Sequence, residues 1–185
     1  HPRTPYRVWV AEVMLQQTQT ERVSVFYPRF IRRFPSVVAL AAAPLGEVLK
    51  VWQGLGYNRR ALFLKRCAEH IVSRHAAIVP ANVEDLCALP GIGPYTARAV
   101  LTFAFNQPQV FIETNIRSVY LHHFFPHRNA VHDREIIPLI EKTLLRENPR
   151  RWYYALMDYG AYLKKTLPNP SRRSAHHTTQ SPFEG

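Results

Sequence analysis

Three stretches carry residue types that could do chemistry. Glu12 lies within a run from Tyr6 to Thr20 whose apolar positions, Val8, Ala11 and Leu15 with Val10, Val13 and Met14, cover most of a helix. A carboxyl group on so apolar a helix is costly unless partnered or functional. Desolvation raises its pKa, which suits an acid that must hold its proton at neutral pH; a purely structural buried acid is the alternative. Leu89-Pro90-Gly91-Ile92-Gly93-Pro94-Tyr95-Thr96-Ala97 reads as a tight turn between two helices. Glycine makes positive φ cheap there, Pro94 starts the second helix, and bare N–H groups at its N-terminus suit one phosphate. Glu113-Thr114-Asn115 precedes a helix over 116–125. An acid near a helix start favours the dipole, and Thr114 or Asn115 can cap it.

The elements that must position these residues are all helical. Thr4-Pro5 reads as an N-cap and first helical position. Apolar periodicity predicts helices over about 6–20, 21–34 (Pro28 a kink or restart), 36–42, 44–52, 59–74, 95–105, 116–125, 133–145 and 150–162. Gln53-Gly54-Leu55-Gly56-Tyr57-Asn58 is a second glycine-rich turn, residues 80–89 a short connection, and 109–112 briefly extended. No useful strand pattern appears, so the predicted class is all-α. Beyond Leu167 the chain turns polar and is expected to be loop or disordered.

Among 185 residues, 24 Lys and Arg oppose 13 Asp and Glu, a net charge of +11 that favours a polyanionic partner; a generally basic surface is the alternative. Cys67 and Cys87 are too few for a disulfide scaffold or a cysteine-rich metal site and read as buried thiols. His176-His177 has no spaced partner and reads as exposed, so no metal ligands are predicted. Neither a signal peptide nor a membrane-spanning run is evident, and an intracellular monomer is expected, in the cytoplasm or nucleoid. The chain begins at His1 without methionine, which reads as a piece of a longer protein.

Glu12-Val13-Met14-Leu15-Gln16-Gln17-Thr18-Gln19, Gln53 to Tyr57, Leu89 to Ala97 and Met157-Asp158-Tyr159-Gly160-Ala161 resemble, in order and spacing, motifs of the MutY-type adenine branch of the helix-hairpin-helix DNA glycosylases. The resemblance implies a two-lobed helical fold, with residues 1–20 and 108–165 in one lobe, 21–107 in the other, and 166–185 a basic tail. It implies duplex DNA bound across an interlobe cleft and a flipped nucleotide. Gln17 and Tyr57 would then probe or wedge the base stack. Leu89, Gly91, Ile92, Gly93 and Thr96 would form the DNA-binding hairpin, and a monovalent cation on its carbonyls is left open.

Cleaving a purine N-glycosidic bond needs a proton on the leaving base and an anion near the developing sugar cation. By resemblance Glu12 supplies the first. Glu113 falls where the family carries aspartate in an Asp-Gly-Asn run, and Asn115 matches its asparagine, orienting the carboxylate or a water. Glutamate adds a methylene, about 1.5 Å of reach; a helix-start role for Glu113 and a plain cap for Asn115 are the alternatives. Tyr95 stands where bifunctional relatives carry a Schiff-base lysine, implying a monofunctional hydrolase without strong lyase activity; a ring packed at the helix start is the alternative. Phe105 replaces a tyrosine of some adenine enzymes.

The family's four-cysteine iron–sulfur positions fall near Lys164, Ser171 and Ser174, so no cluster is expected; helix packing or the Arg172-Arg173 tail must do its work. Relatives that read oxidised guanine use a further C-terminal domain, so opposite-base recognition would rest on this module or on removed sequence. The expected activity is excision of a mispaired or damaged base, adenine opposite guanine or 8-oxoguanine first. Mismatched thymine or uracil, or hypoxanthine, is the enzyme alternative, and a non-catalytic binder of distorted DNA the alternative of another kind.

Overall fold

Thr4 starts the first helix as its type requires: its hydroxyl accepts the Arg7 N–H, and Pro5 takes the first helical position. The computed structural model describes residues 3–177. Contacts divide the chain between Phe105 and Asn106 into two units.

The first unit holds α1 (Pro5–Leu15), α2 (Thr20–Arg33), α3 (Val37–Ala42), α4 (Leu45–Trp52), α5 (Arg59–Arg74), α6 (Val83–Cys87) and α7 (Pro94–Phe105). Its core is one apolar cluster running from Tyr6 and Trp9 through Phe30, Phe34 and Trp52 to Val100 and Leu101. Phe30 meets both Phe34 and Trp52 edge to face, and Ser36 caps α3 through the Ala39 N–H. The helix predicted over 6–20 ends at Leu15, because Gln17 turns to positive φ before α2 begins. Helix α2 runs through Pro28 without the predicted restart. Residues 3–20 belong by contact to this unit, where α1 packs on α7, α2 and α5. The apolar face of α1 is spent on the helices that follow it.

The second unit holds α8 (Thr114–Phe124), α9 (Asp133–Thr143) and α10 (Pro149–Thr166), followed by a 3-10 turn, Pro170–Arg173. Its buried side chains include Ile116, Tyr120, Leu121, Ile136, Ile140 and Tyr153. The extended stretch 109–112 pairs with no strand. The Tyr153 hydroxyl serves its backbone instead, accepting the Phe111 N–H and donating to the Gln109 carbonyl, while the Phe111 and Tyr153 rings stack at 4.1 Å. Among the described residues there is no strand, only an isolated bridge between Val131 and Ser174.

The tail expected to be loop or disordered is ordered through His177. Arg173 donates to the carbonyls of Leu121 (2.9 Å) and Pro126, and its own carbonyl accepts the Val131 N–H. Ala175 donates back to Val131, and Pro170, Ser171 and Ser174 are buried. Its polar composition hid this packing because the bonds run to backbone carbonyls, which no pattern marks. Residues 178–185 of the expected tail lie outside the described residues.

Candidate functional site

The hairpin between α6 and α7 is built on Gly91. Its φ is +78°, and a Cβ there would collide with the Phe63 side chain of α5. Gly93, predicted to share that role, has no positive φ and nothing within 4 Å of a would-be Cβ, so open space lies above it. Leu89 and Ile92, predicted to bind DNA, have side chains only 4% and 5% exposed, and the Ile92 N–H is spent on the Leu89 carbonyl. Their apolar side chains anchor the turn in the core and leave the glycine backbone exposed. Thr96, also predicted to bind DNA, is buried, and its hydroxyl accepts the Gln16 side-chain amide at 3.0 Å. It ties the hairpin helix to the end of α1 rather than facing outward.

Four predicted residues from three stretches line one cavity of about 740 Å³: Gln17, Tyr57, Gly91 and Tyr95, with Gln16 and Arg60 beside them. Tyr57 is 56% exposed and Tyr95 40% exposed, so neither is a packed core ring. Gln17 and Tyr57 both hold positive φ, +53° and +49°, which non-glycine residues rarely adopt and which clusters at functional sites. Glu12 is half-buried on α1, one turn before Gln16 and on the same side of the helix.

Arg60, the second residue of α5, was not predicted. Its guanidinium donates to the carbonyls of Val13, Met14, Gln16, Leu55 and Gly56 and to the Thr18 hydroxyl. Burial pushes its pKa down, with Tyr57 acting the other way; an arginine stays charged regardless. A pair of arginines, Arg59 and Arg60, directly after a glycine-rich turn was the sequence signal available.

In the second unit, the N-cap of α8 is neither Thr114 nor Asn115 but Glu113, whose carboxylate accepts the Ile116 N–H at 2.8 Å. The extra methylene is absorbed by the side chain turning back onto its own helix, so the structure gives Glu113 the helix-start role. That bond engages one carboxylate oxygen. Asn115 Oδ1 is buried without a hydrogen-bond partner, which is costly, so it does not cap the helix. Gly160 of α10 lies against the Asn115 backbone so closely that a Cβ would overlap its carbonyl. Gly160 falls in the 157–161 stretch, where nothing local in the sequence marks this close approach. Phe105 ends α7, half-buried against the first unit's core.

The positions aligned with cluster ligands do not fit an iron–sulfur group. The Ser171 hydroxyl bonds Asn169, and Ser174 Oγ accepts the His176 N–H. Neither serine nor Lys164 offers a thiolate. Cys67 and Cys87 lie in the first unit, and burial pushes the Cys67 thiol far up, away from the form that binds iron. Among the described residues no group of His, Cys, Asp or Glu is arranged to hold a metal, and no helix is long and apolar enough to cross a membrane.

The chain is 39% identical to the adenine DNA glycosylase of Mycobacterium tuberculosis (strain H37Rv) over 168 residues, 85% of this chain and 53% of that one. It is 34% identical to that of Buchnera aphidicola subsp. Baizongia pistaciae over 165 residues, 87% of this chain and 46% of that one. It thus spans about half the length of these relatives. A thermostable thymine-DNA glycosylase superposes with a TM-score of 0.74 at 25% identity, covering 87% of this chain and 76% of that one. Endonuclease III in a non-covalent DNA complex gives 0.67 at 21% identity, covering 88% and 74%, a likeness of fold alone. Residues 10–143, more than half the chain and including the hairpin, match the helix-hairpin-helix HhH-GPD profile. The chain therefore belongs to the HhH-GPD superfamily of base excision DNA repair proteins.

Proposed function

We propose that the chain is a monofunctional DNA glycosylase that flips a mispaired or damaged base from duplex DNA and excises it with water. Adenine opposite guanine or 8-oxoguanine is the base we assign. The observation that carries this reading is the cavity of the first unit, where Gln17, Tyr57, Gly91 and Tyr95 meet at one mouth beside an exposed hairpin backbone. Glu12 protonates the leaving base, the glycosidic electron pair departs with it, and water adds at C1′, its proton returning to the Glu12 carboxylate. Glu113 is the anion that stabilises the developing sugar cation, and Asn115 orients that carboxylate through its amide N–H, or the water through its buried oxygen, which has no partner. The Gly91 and Gly93 backbone holds one phosphate, and Gln17 and Tyr57 fill the gap left in the stack. Tyr95 supplies no amine, so no Schiff base forms.

We also propose that the protein works without an iron–sulfur cluster, the Arg173 bonds securing the segment where ligands would stand. Thiolates are missing at those positions, which supports this. The protein acts as a monomer where duplex DNA is found, inside the cell. Excision of thymine opposite guanine is the second reading, favoured by the likeness to a thymine-DNA glycosylase.

The test is a panel of duplexes with A·G, A·8-oxoguanine, T·G, U·G and hypoxanthine·T pairs, treated with alkali after incubation. Strand breaks at adenine, with free adenine released and little borohydride-trapped adduct, are expected. Breaks only at T·G would move the assignment to thymine. Tight binding with no breaks would make the protein a non-catalytic reader of distorted duplex. Iron analysis of the purified protein should find no stoichiometric iron.

A further inference from the structure

Arg60 touches the residues on both sides of Gln17, through the Gln16 carbonyl and the Thr18 hydroxyl (2.9 Å). The same guanidinium touches the two residues before Tyr57, through the Leu55 (3.3 Å) and Gly56 (3.2 Å) carbonyls. Its carbon Cζ lies 5.4 Å from the centroid of the Tyr57 ring and 5.4 Å from that of Trp52. Trp52 reinforces the second turn by donating its indole N–H to the Gly56 carbonyl. The Val13 and Met14 carbonyls, at the end of α1 where no further helical N–H arrives, complete the set.

We infer that Arg60 is a positioning residue that sets Gln17 and Tyr57 as a single preorganised unit before DNA arrives. The argument is one of geometry and cost. Both residues carry left-handed backbones that their side chains disfavour, so each turn would relax if left to itself. A planar fork with fixed donor directions can hold two carbonyl clusters at once, whereas an ammonium is a point charge that cannot match both. Among the described residues no ion pair neutralises the guanidinium, and its Nε is buried without a partner, a cost not repaid in binding a carboxylate. Arg60 acts through the two probes and touches no reacting atom in this reading.

The inference rests on the glycosylase reading for what the probes do, but not for whether Arg60 holds them. The test therefore has two arms on the full chain, using Arg60→Lys and Arg60→Ala. In the free protein, amide hydrogen exchange should quicken together at residues 16–18 and 55–57 in both variants, with the α7 core still protected. Unchanged exchange at either turn would overturn the inference, whatever DNA does. In the second arm, anisotropy compares a duplex carrying A·8-oxoguanine with its matched counterpart. Arg60→Lys, which keeps the charge, should lose about tenfold or more of the preference for the mispaired duplex while matched binding holds. A Gln17→Ala, Tyr57→Ala background should lose little more on adding Arg60→Lys. Full preference in Arg60→Lys, or equal loss on both duplexes, would overturn the inference. Linked exchange with a parent chain that prefers no duplex would support the coupling and sink the glycosylase reading instead.

Discussion

The end of α1 and the start of α8 are both helix termini that present predicted site residues, and they are closed by opposite means. A cation from another helix, Arg60, gathers the last carbonyls of α1. An anion of the segment itself, Glu113, takes an N–H of α8, and Gly160 lets a second backbone lie against the turn. Each charge has the sign the helix dipole favours. The difference is in what fails. Side-chain bonds hold the first turn in a conformation it would otherwise leave, whereas steric contact fixes the second. The first is built to be set, and the second to stay put.

The largest effect that breaks this comparison is at Glu113. Glu113→Gln keeps an N-cap acceptor but removes the charge, so base release should fall by about 10²–10³-fold with the thermal midpoint nearly unchanged. Single-turnover rates and a melting curve check this; Glu113→Asp, which restores the charge, should recover most of the rate. An unchanged rate in Glu113→Gln would return the residue to helix capping alone.

Gly160→Ala tests the steric half. The added methyl overlaps the Asn115 backbone and should cost about 1–3 kcal/mol. Gly46→Ala, where nothing lies within 4 Å in a helix, should be neutral or mildly stabilising. Urea unfolding of the pair gives the contrast directly.

Arg173→Ala should lower stability by about 1–2 kcal/mol, because it leaves two carbonyls short of a donor. Its effect on the urea midpoint should be no larger than that of Gly160→Ala.

The smallest effect is on pH. Burial alone would raise Asp133, but its paired hydrogen bonds to Arg117, with that charge and those of His176 and His132, outweigh burial and hold it below 3.8. A depressed carboxyl stabilises the fold above its unfolded value and loses that contribution as pH falls through the folded one. Stability should therefore decline below about pH 4, and Asp133→Asn should flatten that limb in urea titrations across pH.

Much of the frame was legible in the sequence. The 59–74 helix, the Ser36 cap and the hairpin followed from periodicity and turn residues, which are local signals. The shortening of α1 was not, because it depends on Arg60 reaching back more than forty residues to carbonyls that every residue carries. A helix-start role for Glu113 was legible, but not that it is the N-cap itself, because glutamate is an uncommon N-cap and shorter candidates stood beside it. The ordered segment at Pro170–Arg173 was read as tail from its polarity, yet its order comes from backbone pairing with Val131. Among the candidate site residues, types and rough positions were legible, but which hydroxyls and N–H groups were already spent, as at Thr96 and Ile92, required the packing.

The most direct test of the account is single-turnover release of free adenine from an A·8-oxoguanine duplex by the parent chain and by Glu12→Gln, with duplex affinity measured alongside. The account predicts clear release by the parent, a fall of about 10²–10⁴-fold in the variant, and affinity within a few-fold of the parent. Release by Glu12→Gln at the parental rate would contradict it.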